Sequence, residues 1–193
     1  MTPERRRAGR PAVLTTERIV AAAVGVLDGD GPEALTMRRL GAELGVAAMS
    51  LYRHFPNRDA LLAAVVNGLF AEAVADHSPD SAWPEALTEF GVAYRHMLLA
   101  HPRAVPLLAT HPVDVDLGLE LLTGLLSRFE AAGIASRDAL TAVQSVGVYV
   151  LGHALAQVGT GGETHDDAAQ AFYDQWFDSG LIAMVSGFER QLV

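Results

Sequence analysis

The 193-residue sequence contains no cysteine. It therefore has no disulfide framework and no thiolate to act as ligand or nucleophile. Lysine is absent as well, so every strongly basic side chain is arginine. Arginine is the better bidentate partner for phosphate and guanine. Lysine is missing from the whole chain, however, which points to coding bias rather than to one site. No run of about 18 apolar residues stands out, so no membrane span and no membrane partner are expected. The opening MTPERRRAGRP lacks the apolar stretch of a signal peptide, and a cytoplasmic location is the expectation.

Chemistry-bearing motifs are also scarce. None of the seven histidines belongs to H-E-x-x-H, and no two stand at the i, i+4 spacing of a helical ligand pair. His101 and His111 each precede a proline, where capping is the simpler role. His96 and His153 sit in apolar stretches that read as helical. The glycine-rich GTGGET (159–164) lacks the Lys-Ser/Thr of a phosphate loop. There is no G-x-S-x-G elbow and no serine–lysine motif. The expectation is no metal, no cofactor and no enzyme.

Half of the residues are hydrophobic, enough for a sizeable core. The net charge of −9 is unevenly spread. Residues 1–58 hold nine Arg against six acids, a balance of +3, and the rest hold five against seventeen, a balance of −12. The basic side chains therefore gather at one end, and the acidic part is expected to point away from any polyanion. Four of them, Arg5, Arg6, Arg7 and Arg10, lie in a polar arm, residues 1–14. Its Gly9-Arg10-Pro11 resembles an arginine hook for a narrow minor groove. A solvated tail is the alternative.

The stretch Leu35–Asp59, LTMRRLGAELGVAAMSLYRHFPNRD, reads as helix, tight turn, helix and stop. Thr36 suits an N-cap. Leu40 and Leu44 set an apolar face at i, i+4. Gly45 suits the left-handed residue that ends the first helix. A second helix is expected over about 47–55, with Leu51 and Phe55 inward and Pro56 as the stop. Such a pair is a helix-turn-helix, whose second helix enters the DNA major groove by its N-terminal end. Tyr52, His54, Arg38 and Arg58 are expected on phosphate. Ala48, Met49, Ser50 and Arg53 are expected to face bases, with Thr36 and Ala47 at the edges of the contact.

The residues Thr36, Arg38, Leu40, Leu44, Gly45, Val46, Leu51, Tyr52, His54, Phe55, Asn57, Arg58 and Leu61-Leu62 resemble the tetracycline repressor (TetR) family of bacterial transcription regulators. The pattern T-x-R-x-L-x-x-x-L-G-V-x-x-x-x-L-Y-x-H-F is long and specific, and the resemblance covers about 15–70. Two positions depart from it. Gly41 stands where alanine is frequent, and from helix propensity alone it should loosen the first helix by about 1 kcal/mol. Ala47 stands where serine or threonine is frequent, which removes a side-chain cap. The resemblance implies a homodimer on a palindromic operator, regulated by a small effector. It also implies that the fourth helix joins two domains and transmits effector binding.

The whole chain is expected to be all-α, with about nine helices. The expected organisation is arm 1–14, helix-turn-helix domain 15–58 with its motif at 36–55, connecting helix 59–76, and a helical effector and dimerisation domain 77–193. Thr15 or Thr16, Asn57 and Ser136 are cap candidates, Asp114 and Asp116 suit a helix N-terminus, and one helix is expected from there to Gly133. Isolated polar residues within apolar helices, Tyr94, His96, Arg103, Gln144, Tyr149, His153 and Gln157, suggest a small-molecule pocket, with Met97 and Phe129 as apolar candidates for its lining. Its occupant is expected to be largely apolar. The last two long helices carry apolar residues on more than one face. Leu140, Gly147, Leu151, Leu155, Phe172, Trp176, Ile182 and Met184 are candidates for a dimer seam. Two alternatives stay open: a DNA-binding regulator without a small ligand, and a helical enzyme or carrier with an accidental motif.

Overall fold

The computed structural model describes residues 14–75, 81–159 and 166–192. The basic arm up to residue 13, the expected junction between connecting helix and effector domain at 76–77, and most of the GTGGET loop lie outside the described residues. Within them are ten α-helices, two single 3-10 turns and no strand. The helices are α1 (Thr16–Asp30), α2 (Met37–Leu44), α3 (Ala48–Leu51), α4 (Arg58–Ala73) and α5 (Trp83–Ala100). They continue as α6 (Val105–Thr110), α7 (Val115–Leu121), α8 (Thr123–Ala131), α9 (Ser136–Val158) and α10 (Asp167–Leu192). The helix expected from 114 to 133 is broken at Leu122, whose ψ of 2° leaves the helical basin. Gly118 and Gly124 flank the break and weaken helix formation on both sides.

Local chemistry sets several helix starts. Thr15 accepts the backbone N–H of Arg18, Thr36 that of Arg39, Asn57 that of Ala60 and Asp114 that of Leu117. Ser136 is not a cap. Ala135 occupies that position with no side-chain bond, so α9 starts uncapped.

The first three helices enclose Ile19, Ala23, Leu27, Leu35, Leu40 and Leu51, all fully buried. Helix α4 is apolar nearly all round, with Leu61, Leu62, Val65, Val66, Leu69 and Phe70 buried. Only a stripe with Asp59, Ala63, Gly68 and Glu72 is exposed; so wide an apolar surface needs partners on more than one side, and α4 packs on both α1 and α5. Phe70 meets Tyr94 edge-on at 5.7 Å, and Tyr94 stacks on Phe90 at 5.9 Å. Burial raises the Tyr94 phenol to about 12, so it stays an O–H donor.

Helix α5 is the hub of the remaining helices and touches α4, α8, α9 and α10. Gly91 permits this crowding: a Cβ there would lie 3.0 Å from Leu181 Cδ1 and 3.2 Å from Val146 Cγ1. Helix α9 is long and apolar enough to cross a membrane, contrary to the reading of short apolar runs. It packs instead against α5, α6, α8 and α10, and buries His153 and Gln157 among its apolar residues.

One polar knot joins α5, α9 and α10. Arg95 donates to Gln157 Oε1 at 2.9 Å and to Asp174 Oδ1 at 2.6 Å, and lies 4.6 Å above the Phe177 ring. The hydrogen bond from Arg95 holds the Asp174 carboxyl below its usual range. His153 lies beside this knot among Tyr149, Tyr173, Trp176 and Phe177. Among the described residues, neither of its ring nitrogens has a hydrogen-bond partner of good geometry. Burial, and then the Arg95 charge, push its pKa below the ordinary value. The unfolded chain therefore takes up this proton first as pH falls. The neutral ring's contribution to stability is complete above about pH 6.5 and is lost as pH drops below it. Replacing His153 with Phe is expected to flatten the acid limb of a plot of denaturation midpoint against pH. An unchanged limb would assign the acid sensitivity to other groups.

Candidate nucleic-acid interface

Helix α2 ends at Gly45, whose φ of 68° is the left-handed conformation that glycine adopts without strain. The turn folds back tightly, with Val46 N donating to Gly41 O at 2.9 Å. Gly41 is buried here, and a Cβ on it would lie 2.9 Å from Val46 O and 3.2 Å from Ala48 N. Helix propensity alone suggests that alanine would improve this position. The geometry reverses that sign, because the clashing atoms are backbone and cannot rotate away. Gly41→Ala is expected to cost about 1–3 kcal/mol, the range for overpacked sites. Urea denaturation checks it, and a stabilised variant would refute the close approach.

Helix α3 is one regular turn, shorter than the 47–55 expected, and its tail closes as turns. His54 N and Phe55 N both donate to Leu51 O at 2.9 Å, and Pro56 follows. Ala47 begins α3 with no side-chain cap, as its composition foretold. Leu51 and Phe55 point inward and Met49 outward, with 72% of its surface exposed. Thr36, Arg38, Ala47, Tyr52 and Arg53 are exposed on the same motif, and Ala48, Ser50 and His54 are half-buried. Among the described residues, Arg38 and Arg53 form no hydrogen bond or ion pair, so their guanidinium groups are available to a ligand. Neighbouring Arg39 is engaged by Asp30 at 3.1 Å and by Glu43 at 2.9 Å.

Arg58 departs from its expected place on phosphate. Its Nε donates to Leu35 O at 2.8 Å and its Nη2 to Pro32 O at 2.7 Å. Two carbonyls that precede α2 thus occupy the guanidinium, and Arg58 ties the start of α4 to that segment.

The pocket candidates scatter. Tyr94, Met97 and Phe129 are core residues. His96 and Gln144 are exposed. Gln144 stands one turn before Val148, on the outer face of α9. Arg103 is exposed and donates to the carbonyls of Asp28 and Gly29. Tyr149 donates to the α10 carbonyls of Trp176 at 3.1 Å and Phe177 at 3.0 Å, and His153 lies in the aromatic box described above.

The seam candidates divide more cleanly. Phe172 and Ile182 are each 62% exposed, and Trp176 and Leu155 are partly so. Val148, missed by the sequence reading, is 72% exposed. These residues form an apolar stripe along the outer faces of α9 and α10, with a shallow cleft bounded by Phe172, Gln175, Trp176 and Ser179. Leu151 and Met184 pack instead on the core, Gly147 is half-buried, and Leu140 lines a separate cleft of about 260 Å³ between α7, α8 and α9.

The sequence matches two family models, that of the bacterial regulatory proteins of the tetR family over residues 19–65 and that of the tetracyclin repressor-like C-terminal domain over 76–175. The second match alone covers more than half of the chain. The chain belongs to the TetR family. This TetR-family regulator is 33% identical over 155 residues to an HTH-type transcriptional regulator of Saccharopolyspora erythraea, covering 80% of this chain and 65% of that relative's length. Its fold is similar to a tetracycline repressor variant of Acinetobacter baumannii AYE in complex with minocycline. The TM-score is 0.80 at 27% identity, over 94% of this chain and 99% of the other. It is also similar to Mycobacterium smegmatis BioQ, with a TM-score of 0.70 at 32% identity over 91% and 98% of the two chains. BioQ has been solved with its natural double-stranded DNA operator as well. The TetR assignment bears out the all-α, helix-turn-helix expectation.

Proposed function

We propose that this TetR-family regulator is a homodimeric repressor that reads a palindromic operator and is released by a small, largely apolar effector. The supporting division is arm 1–14, DNA-binding domain 15–58, connecting helix 59–76 and effector domain 77–193. The observation that carries DNA reading is the outward face of the helix-turn-helix, where Arg38 and Arg53 have no protein partner among the described residues. Met49 and Arg53 face bases, and Arg38, Tyr52 and His54 meet phosphate. One α3 reads too few base pairs, so two copies sit about 34 Å apart or at a longer matched spacing. The apolar stripe of α9 and α10 supplies the dimer seam. No catalytic role is assigned, and the site of action is the cytoplasm.

The effector reading is supported by the buried apolar core around α5 and by the minocycline-bound relative. Tyr94, whose hydroxyl has no hydrogen-bond partner among the described residues, offers the effector a polar handle. Calorimetric titration of a candidate with and without operator tests it. An inducer must bind more weakly when operator is present, because coupling is reciprocal.

A gel shift with DNA flanking the protein's own coding region tests DNA reading, and no shift at low salt on any such fragment would sink it. Arg53→Ala is expected to relax preference at one base pair, at a cost of about 1–3 kcal/mol for a bidentate guanine contact. Arg58→Ala is expected to lower fold stability by about 1–3 kcal/mol, because it strands two backbone carbonyls. The salt slope of DNA binding should stay unchanged in Arg58→Ala, and a slope reduced by about one would return Arg58 to the phosphates.

A further inference from the structure

The corner between α1 and α2 is held from two sides. From the α5–α6 side, His101 Nδ1 meets Asp28 Oδ2 at 2.8 Å. Arg103 Nη1 donates to Asp28 O at 3.0 Å and also to Gly29 O. Those carbonyls belong to the last turn of α1, where helix C=O groups lack intrahelical partners and attract cations. From the α4 side, Arg58 grips Pro32 O and Leu35 O. The corner in turn is tied to α2 by the Asp30–Arg39 pair at 3.1 Å. Among the described residues, Asp28 Oδ1 is buried without a hydrogen-bond partner, and His101 is the side chain that meets the other carboxylate oxygen. Losing one partner of a partly buried pair is costly because the other is left uncompensated.

On the reading of the chain as a DNA-binding regulator, we infer that His101 and Arg103 are positioning residues for DNA recognition. They fasten the effector domain to the α1–α2 corner and form a second, non-covalent route between the domains beside α4. The route runs from the α5–α6 junction through Asp28 and Gly29 to Asp30, Arg39 and the first helix of the helix-turn-helix. Neither residue touches DNA. Each acts by fixing where the corner sits when the effector domain moves. Arg103 therefore belongs to the coupling rather than to a pocket.

The test uses the full chain and a duplex that the wild type selects from a randomised pool. Backbone amide exchange is followed by mass spectrometry with and without saturating duplex, for wild type and for His101→Phe/Arg103→Gln. In the wild type, the duplex is expected to slow exchange over 103–110 by at least about fivefold, the lower end of ordinary coupling, and in the double variant by less than about twofold. Protection of α3 by the duplex is expected in both, which a merely destabilised fold would not give. Arg103→Gln alone serves if the double variant does not fold. An equal response over 103–110 in wild type and variant overturns the proposal and leaves DNA reading standing. Failure to select any duplex overturns the DNA-binding reading, and this route with it.

Discussion

Ile182→Asp is expected to turn the proposed dimer into a monomer and to weaken operator binding by at least about a hundredfold, a loss typical of a disrupted hot spot. The residue stands in the outer stripe of α10, 62% exposed in the single chain. A twofold interface brings each substitution in twice. It would place two carboxylates in a seam whose exposed large side chains, Val148, Leu155, Phe172 and Trp176, are apolar. A buried charge without a partner is among the costliest changes a protein interface can receive. The monomer keeps α3 intact but presents one half-site reader, so its phosphate contacts halve and the salt slope should roughly halve with them. Sedimentation at micromolar protomer concentration reads the first effect, and a salt series in the gel shift reads the second. A variant that remains dimeric would move the seam away from α10.

Much of this architecture can be read from the sequence because its causes are local. A threonine or asparagine that accepts the N–H three residues on needs no tertiary information. Thr15, Thr36, Asn57 and Asp114 all behave as their spacing foretold. Gly45 likewise ends α2 in the left-handed conformation. What the sequence hides is where long side chains reach. Arg58 finds carbonyls 23 and 26 residues earlier, and Arg103 finds them 74 and 75 residues earlier. Arginine spacing within a motif indicates a cation but not its destination. A backbone carbonyl contact depends on how whole helices pack. Gly41 misleads for the same reason: propensity is a property of one helix, whereas its close approach involves two. His96 and Gln144 misled through composition, since a polar residue in an apolar helix faces outward as readily as inward.

Phe129→Ala should cost about 3–5 kcal/mol of stability, the range for a large aromatic removed from a packed core. The sequence places Phe129 in a pocket, whereas the structure gives it no exposure and sets its ring 4.7 Å from that of Trp83. It links the first turn of α5 to the end of α8, where its carbonyl also accepts Ala132 N at 3.1 Å and Ile134 N at 3.0 Å. A side chain lining an open effector pocket lacks packed neighbours on one side and forfeits less when truncated. The size of the loss therefore separates a core pillar from a pocket wall. Urea midpoints of wild type and variant at one fixed protomer concentration give the comparison, because a dimer's apparent stability depends on concentration. A loss below about 1.5 kcal/mol, well under the core range, would return Phe129 to the pocket. A full loss would place the effector's contacts elsewhere around α5, with Tyr94 as the polar group to examine first. The enlarged cavity would then be apolar and dry, and a small apolar molecule such as benzene should recover part of the lost stability by filling it.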